Sequence, residues 1–277
     1  MDLPDALLNL VIPYLKVANN KKLPYILDFK NQKYRFAYIG VKHSNNPKNI
    51  QFKKIELLLK KFLKASNHKK LVIGIESIPS HTNLSKNKLI EKYGESGLLA
   101  YFAKINNLET ICPEPIQDDM LKLILFENKF NELDILSWIY LNMLCASLKK
   151  EVSLPTATVK IRPILDQIIK NGWFKKVNKN PIMQIHRKIR NLSGKSVSKM
   201  SKQELCALQD PFKVGAPLND VGAEYNAIRD KFIAQNFLNV LLKGKNVFSV
   251  YGFNHVAAQE PVFKIFFKNK AAASGRL

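Results

Sequence analysis

The spacing of apolar residues changes character several times along the chain, and each change predicts an element. Residues 34–41 form a short, mostly apolar run of aromatic and β-branched residues behind the turn-like Lys30-Asn31-Gln32. That composition predicts a strand able to pair with residues 25–29. After a loop rich in Asn and Pro (44–49), Ile55, Leu58, Leu59, Phe62 and Leu63 recur at helical spacing with lysines opposite, the pattern of a solvated amphipathic helix. Leu71-Val72-Ile73-Gly74-Ile75 is apolar at every position and ends in Glu76, as a buried parallel strand does. Helical patterning over 84–105 breaks near Tyr93-Gly94, and 109–112 reads as a short strand stopped by Pro113 and Pro115. The order is β, α, β, α, β. It predicts an α/β fold: a mainly parallel sheet with right-handed crossovers, flanked by helices.

From 118 onward only helical segments follow: 120–126, 133–148, 161–169 and 185–192. The expected organisation is therefore an α/β core formed by 1–117 and 216–277, interrupted by a helical insertion or cap over 118–215. A long helix over 221–242 ends at Gly244, a β-type run over 246–251 ends in Gly252-Phe253-Asn254-His255, and an apolar segment over 261–267 closes the fold. There is no repeat of solenoid length and no low-complexity tract.

Composition narrows the class. With 46% hydrophobic residues over 277, the chain can bury a full core, which excludes intrinsic disorder and collagen-like architecture. A formal charge of +22 would suit a polyanion partner, but it is carried by 38 lysines and only six arginines, and lysine is the poorer group for bidentate phosphate or guanine contacts. Diffuse solvation is the favoured reading, and nucleic-acid binding the disfavoured one. The densest cluster, His186-Arg187-Lys188-Ile189-Arg190 with Lys195 and Lys199, stands as an anion patch. The start, Met1-Asp2-Leu3-Pro4-Asp5, is acidic where a signal peptide is basic, and the two longest uncharged runs, 135–148 and 246–259, are too short or too broken to span a membrane. Cys112, Cys145 and Cys206 are far apart and odd in number, which argues against a disulfide framework or thiolate zinc site and for a reducing, cytoplasmic location.

Two segments share one form, a β-type run ending in Gly-x-x-His: Gly40-Val41-Lys42-His43 and Gly252-Phe253-Asn254-His255. Glycine there permits a sharp turn as the strand leaves the sheet. With Glu76 at a third strand end, two imidazoles and a carboxylate can converge at the carboxyl edge, where open parallel sheets bind ligands. A single Gly-x-x-His is weak, since a histidine at a strand end is ordinarily a solvated loop residue. Two of them, in a chain with five histidines, point to a site.

The paired Gly-x-x-His motifs, the glutamate of Ile73-Gly74-Ile75-Glu76-Ser77 and the helix Glu224-Tyr225-Asn226-Ala227-Ile228-Arg229-Asp230 resemble the TraB/Tiki superfamily, which includes GumN-like proteins, the haem-binding lipoprotein ChaN and the erythromycin esterases. The resemblance covers 34–76 and 224–256. It implies an α/β fold with the motif residues in one cleft, and a hydrolase of ester or amide (peptide) bonds acting on a small-molecule or peptide substrate. It also implies a divalent metal (Zn, Mn or Co) in the peptidase-like members. Other members bind peptide, haem or small ligands without catalysis, which is the alternative reading. On this resemblance His43 and His255 match the motif histidines, Glu76 the strand-end acid and Arg229 the helix arginine. Val41 stands where erythromycin esterases carry a further glutamate, so erythromycin is not the expected substrate.

The residues support two mechanisms. Either His43, Glu76 and His255 bind a metal that acidifies water, or one histidine oriented by Glu76 is the general base while Arg229 stabilises the oxyanion. Around them Ser44, Glu95, Glu114, Tyr251 and Asn254 are the candidates for contacting substrate: Glu95 as a second acid at a helix start, Glu114 after the third strand, Tyr251 and Asn254 beside the second motif. His68, His81 and His186 read as solvated. No Gly-x-Ser-x-Gly elbow, P-loop or dinucleotide fingerprint is present. The positive excess is expected to bias the cleft toward anionic substrates and to lower the pKa of the imidazoles.

Overall fold

Strand β5 (Asn246–Gly252), the last in sequence, lies at the centre of a five-stranded sheet of order β1-β2-β5-β3-β4. The others are β1 (Tyr25–Lys30), β2 (Arg35–Val41), β3 (Leu71–Ile75) and β4 (Glu109–Ile111). These positions come from a computed structural model, which describes residues 5–17, 21–31, 33–66, 70–177, 180–213 and 215–274. The readings placed on residues 1–4, Gln32 and His68 lie outside the described residues. All pairings are parallel except β1 with β2, which is antiparallel and sets Tyr25 opposite Gly40. The fold is α/β.

Both faces of the sheet are covered, which is why β3 reads as a continuous apolar run and is buried at all five positions. On one face α2 (Ile50–Ala65) and α3 (Lys86–Ile105) lay Phe52, Ile55, Leu59, Phe62, Leu99 and Phe102 against Ile39, Ile73 and Phe248. Asn49 caps α2 through its side chain, and lysines fill the outward positions. On the other face an aromatic cluster of Phe36, Tyr38, Phe237, Tyr251 and Phe263 packs edge to face. Gly74 makes room for it: a Cβ there would lie 2.6 Å from the Phe237 ring.

The chain packs as two compact units, 1–115 with 229–277 and 116–228, and the division falls within α9 (Pro217–Leu242). The first unit also holds α1 (Asp5–Leu8) and α10 (Phe253–Ser274). The second is helical: α4 (Gln117–Phe126), α5 (Glu132–Lys149), α6 (Leu154–Lys170), α7 (Pro181–Ser193), α8 (Lys202–Ala207) and the start of α9. α5 packs against α6, α7 and α8 through Ile135, Leu136, Tyr140 and Leu144. No helix among the described residues is long and apolar enough to cross a membrane.

Three expectations change. The apolar segment 261–267 is not a separate closing element but lies within α10, which begins directly after β5 and therefore carries His255 in its first turn. Helix α6 begins at Leu154, well before the apolar periodicity at 161, because Ser153 caps it and Pro155 sits in its first turn. Cys145 and Cys206 form a disulfide joining α5 to α8, with Cα atoms 5.7 Å apart at a sequence separation of 61. Long-range packing, not spacing, brings these thiols together, and the cysteine argument for a reducing compartment lapses with it. Cys112 alone is free among the described cysteines.

Because the disulfide closes a loop of about 60 residues, the chain-entropy account gives it about 4 kcal/mol. Cys145→Ser should lower the stability of the helical unit by about 2–4 kcal/mol in urea titration under oxidising conditions, and reduction of the wild-type protein should reproduce the loss.

Candidate active site

The two motif glycines lie side by side on β2 and β5, Gly40 opposite Tyr251 and Val41 opposite Gly252. Neither has a left-handed backbone, so the sharp turn expected of them is not their role. Their role is close approach. A Cβ on Gly252 would stand 2.8 Å from His43 Nε2 and 3.6 Å from His255 Cδ2, and one on Gly40 would stand 3.1 Å from Phe253 Cα. Hydrogen in place of a side chain is what lets both imidazoles reach the same strand edge.

His43 follows the end of β2, and its side chain is 54% exposed. Its Nδ1 lies 3.0 Å from Glu95 Oε2, and its Nε2 lies 3.6 Å from Glu76 Oε2. Glu95 reaches it because α3 is kinked at Gly94, the left-handed residue (φ 57°) where its Cβ would meet Ser44 O at 2.9 Å. The Glu95 carboxylate is nearly buried and is fixed by two more donors, Ser44 N at 3.0 Å and Gln51 Nε2 at 2.7 Å. The hydrogen bond to Glu95 raises the His43 pKa above its ordinary 6.5; burial opposes this, the charges of Glu76 and Glu95 reinforce it, and Arg229 opposes it weakly. The lowering expected from the chain's positive excess is therefore overturned by two nearby carboxylates.

Arg229, on α9, is the hub. Its Nε and Nη2 donate to Glu114 at 2.7 and 2.8 Å, Nη2 also to Glu76 at 3.0 Å, and Nη1 to His255 Nε2 at 3.0 Å. Burial alone would lower its pKa, but Glu114 and then Glu76 more than offset that, and the guanidinium stays charged. Its neighbour Asp230 is fully buried and accepts at 2.7 Å from His255 Nδ1 and at 2.6 Å from Gln259 Nε2, one helical turn along α10. Tyr14, held over the helix by the bond from Ile12 N to Ala258 O, brings its hydroxyl to 2.6 Å from the same Nδ1. Burial, then the Asp230 charge, pushes the Tyr14 hydroxyl well above the usual tyrosine range. The acceptor at Nδ1 and the donor at Nε2 assign His255 the neutral tautomer protonated on Nδ1.

The structure thus brings His43, Glu76, Glu95, Glu114, Arg229 and His255 to one strand edge, in one unit. A cleft of about 370 Å³ opens there, walled by His43, His255, Lys42, Phe253 and Asn254. Ser44 serves through its backbone N–H to Glu95, while its hydroxyl accepts from Asn46 N. Tyr251 is fully buried in the aromatic cluster and is not on the cleft wall; its hydroxyl has no hydrogen-bond partner among the described residues. Glu224 pairs with Lys129. His81 is exposed, whereas His186 is half-buried with Nε2 2.9 Å from the Tyr140 hydroxyl, so the solvated reading of His186 does not hold. Asp230, Tyr14, Gln259 and Gln51 were missed by sequence reasoning. Only Asp230 left a signal, as the residue after Arg229 on the motif helix.

The metal set inferred from the sequence does not fit this arrangement. His255 Nε2 and a Glu76 oxygen both receive hydrogen bonds from Arg229, so a cation already holds the position between them. Among the described residues no group of three His, Cys, Asp or Glu is arranged to hold an ion. Comparison with family models, curated proteins and solved structures returned no match to the chain.

Gly252→Ala should displace the His43 ring, the movable end of a side chain, rather than the backbone. The expected result is a stability change within about 1 kcal/mol, with any His43-dependent turnover reduced at least about tenfold by misplacement. Glu114→Ala leaves the guanidinium short of its main partner and should cost about 3 kcal/mol by denaturant titration, the lower end for a buried pair because both side chains keep some contact with water.

Proposed function

We propose that the chain is a hydrolase of the TraB/Tiki type that cleaves an ester or amide bond without a metal, using His43 to activate water. The observation that carries this reading is the Glu95–His43 pair: a carboxylate fixed by two other donors faces Nδ1 of an imidazole that lines the cleft. In that tautomer Nδ1–H donates to Glu95 and Nε2 keeps its lone pair, the orientation a general base requires. Water attacks the acyl carbon as Nε2 takes its proton. Glu76, 3.6 Å from Nε2, stabilises the imidazolium that forms, and the imidazolium returns the proton to the leaving alcohol or amine. Arg229 has four of its five N–H donors engaged within the protein, so it acts on the oxyanion chiefly through its field. Lys42, on the cleft wall and outside any ion pair among the described residues, favours an anionic substrate. A 370 Å³ cleft suits a small acyl compound or a short peptide end.

The engagement of most Arg229 donors within the protein also supports a second reading, a non-catalytic module that holds a small anionic ligand in the same cleft. Turnover separates the two. With p-nitrophenyl esters and N-acyl amides as probes, His43→Ala should lower kcat by about 10²–10⁴. Saturable ligand binding with no product from either probe class would favour the module.

The pH dependence has a defined sign. A raised His43 pKa favours imidazolium, and a general base must be neutral, so kcat/KM should fall as pH drops through a midpoint above 6.5. Glu95→Gln removes the main cause of the shift, so the midpoint should move down toward 6.5 while kcat falls. An acid limb that stays in place in Glu95→Gln would remove His43 as the base.

A further inference from the structure

We infer that the helical unit carries a separate binding site for a small amphipathic anion, a carboxylate or phosphate monoester on an apolar body. A cleft of about 540 Å³ opens between the first turn of α6, helix α7 and the short 3-10 turn Val197–Lys199. Its volume is in the range of pockets that enclose small organic ligands. Leu154, Pro155, Met183 and Val197 supply apolar wall, and Met183 is about half exposed in the free protein. Arg187 and Arg190 lie one helical turn apart on α7 and both line this space.

The charge here is unspent. Of the arginines in the first unit, Arg35 is paired with Asp28 and Arg229 with Glu76 and Glu114. In the second unit Lys188, on the same helix, is paired with Asp134 and Lys195 with Glu204. Neither Arg187 nor Arg190 has a carboxylate partner among the described residues. Two guanidiniums one helical turn apart without a carboxylate partner repel each other, and a bidentate anion relieves this. The N-terminal end of the seventeen-residue α6 faces the same cleft and adds positive potential. The Ser196 and Ser198 hydroxyls, 3.2 Å apart, are further donors at the rim. His186 is not part of the anion charge: burial lowers its pKa, and its Nε2 is engaged by Tyr140. The apolar wall selects against bare inorganic ions, and the paired guanidiniums against neutral lipids.

Isothermal titration of the full chain with sodium decanoate and with decyl phosphate, each below its micellar range, tests this. Saturable one-to-one binding of either compound is expected, weakened at least tenfold in Arg187→Gln/Arg190→Gln, with the stronger of the two compounds identifying the headgroup. Decanol should bind no better to the wild-type protein than to the double variant. Both arginines reach solvent, so the double variant should keep the wild-type circular dichroism and melting temperature. Equal affinity of wild type and variant for both anions, or no saturation with either, would overturn the inference. Met183→Glu is a second check: it leaves the arginines in place and should abolish decanoate binding by opposing both the chain and the headgroup, and unchanged binding there would also overturn it.

Discussion

One guanidinium, that of Arg229, ties the carboxyl edge of the sheet together. Its donors reach the end of β3 through Glu76, the loop after β4 through Glu114, and the first turn of α10 through His255. Each of these groups would be costly to bury alone, and the geometry is stable only because the set is complete. A parallel sheet brings its strand ends to one edge but leaves their spacing to side chains. Here an ion pair network sets that spacing, and the aromatic cluster beneath, with Phe237 on the same helix as Arg229, keeps α9 at the right height.

The sequence repeat of Gly-x-x-His conceals an asymmetry of role. His43 has a side chain 54% exposed and one ring nitrogen hydrogen-bonded, to Glu95; His255 has a side chain 11% exposed and both nitrogens engaged. Burial and partner count divide the work: the open imidazole can exchange a proton with a ligand, and the enclosed one fixes the position of Arg229. Identical motifs produce unlike sites because β2 runs into a loop while β5 runs straight into a helix.

Much of the fold was legible because it is written in local periodicity: the apolar run 71–75, the helix stripe from Ile55 to Leu63 and the break at Gly94 each have one physical reading. The break proved more informative than its strength suggested, since it is what delivers Glu95 to His43. The convergence of His43, Glu76 and His255 followed from topology, which places the ends of parallel strands together, whereas Arg229 lies on a helix and entered only through the family resemblance. What could not be read were pairings that only packing creates: Tyr14 with His255 at a separation of 241 residues, and Cys145 with Cys206. No spacing rule constrains such contacts. Tyr251 misled because it stands next to the motif in sequence while its side chain packs within the aromatic cluster on one face of the sheet.

The position of β5 has a consequence for how the chain is made. β1 with β2, and β3 with β4, are two half-sheets with no shared hydrogen bonds until residues 246–252 slot between them. A ribosome must release the chain as far as residue 252 before that wedge is available, and until then two strand edges stand open. The helical unit, continuous from 116 to 228, is complete earlier. Assembly of the sheet is thus a late event joining distant segments, of high contact order and correspondingly slow. The same stroke that closes the sheet delivers His255, so the cluster around Arg229 is incomplete until β5 is in place.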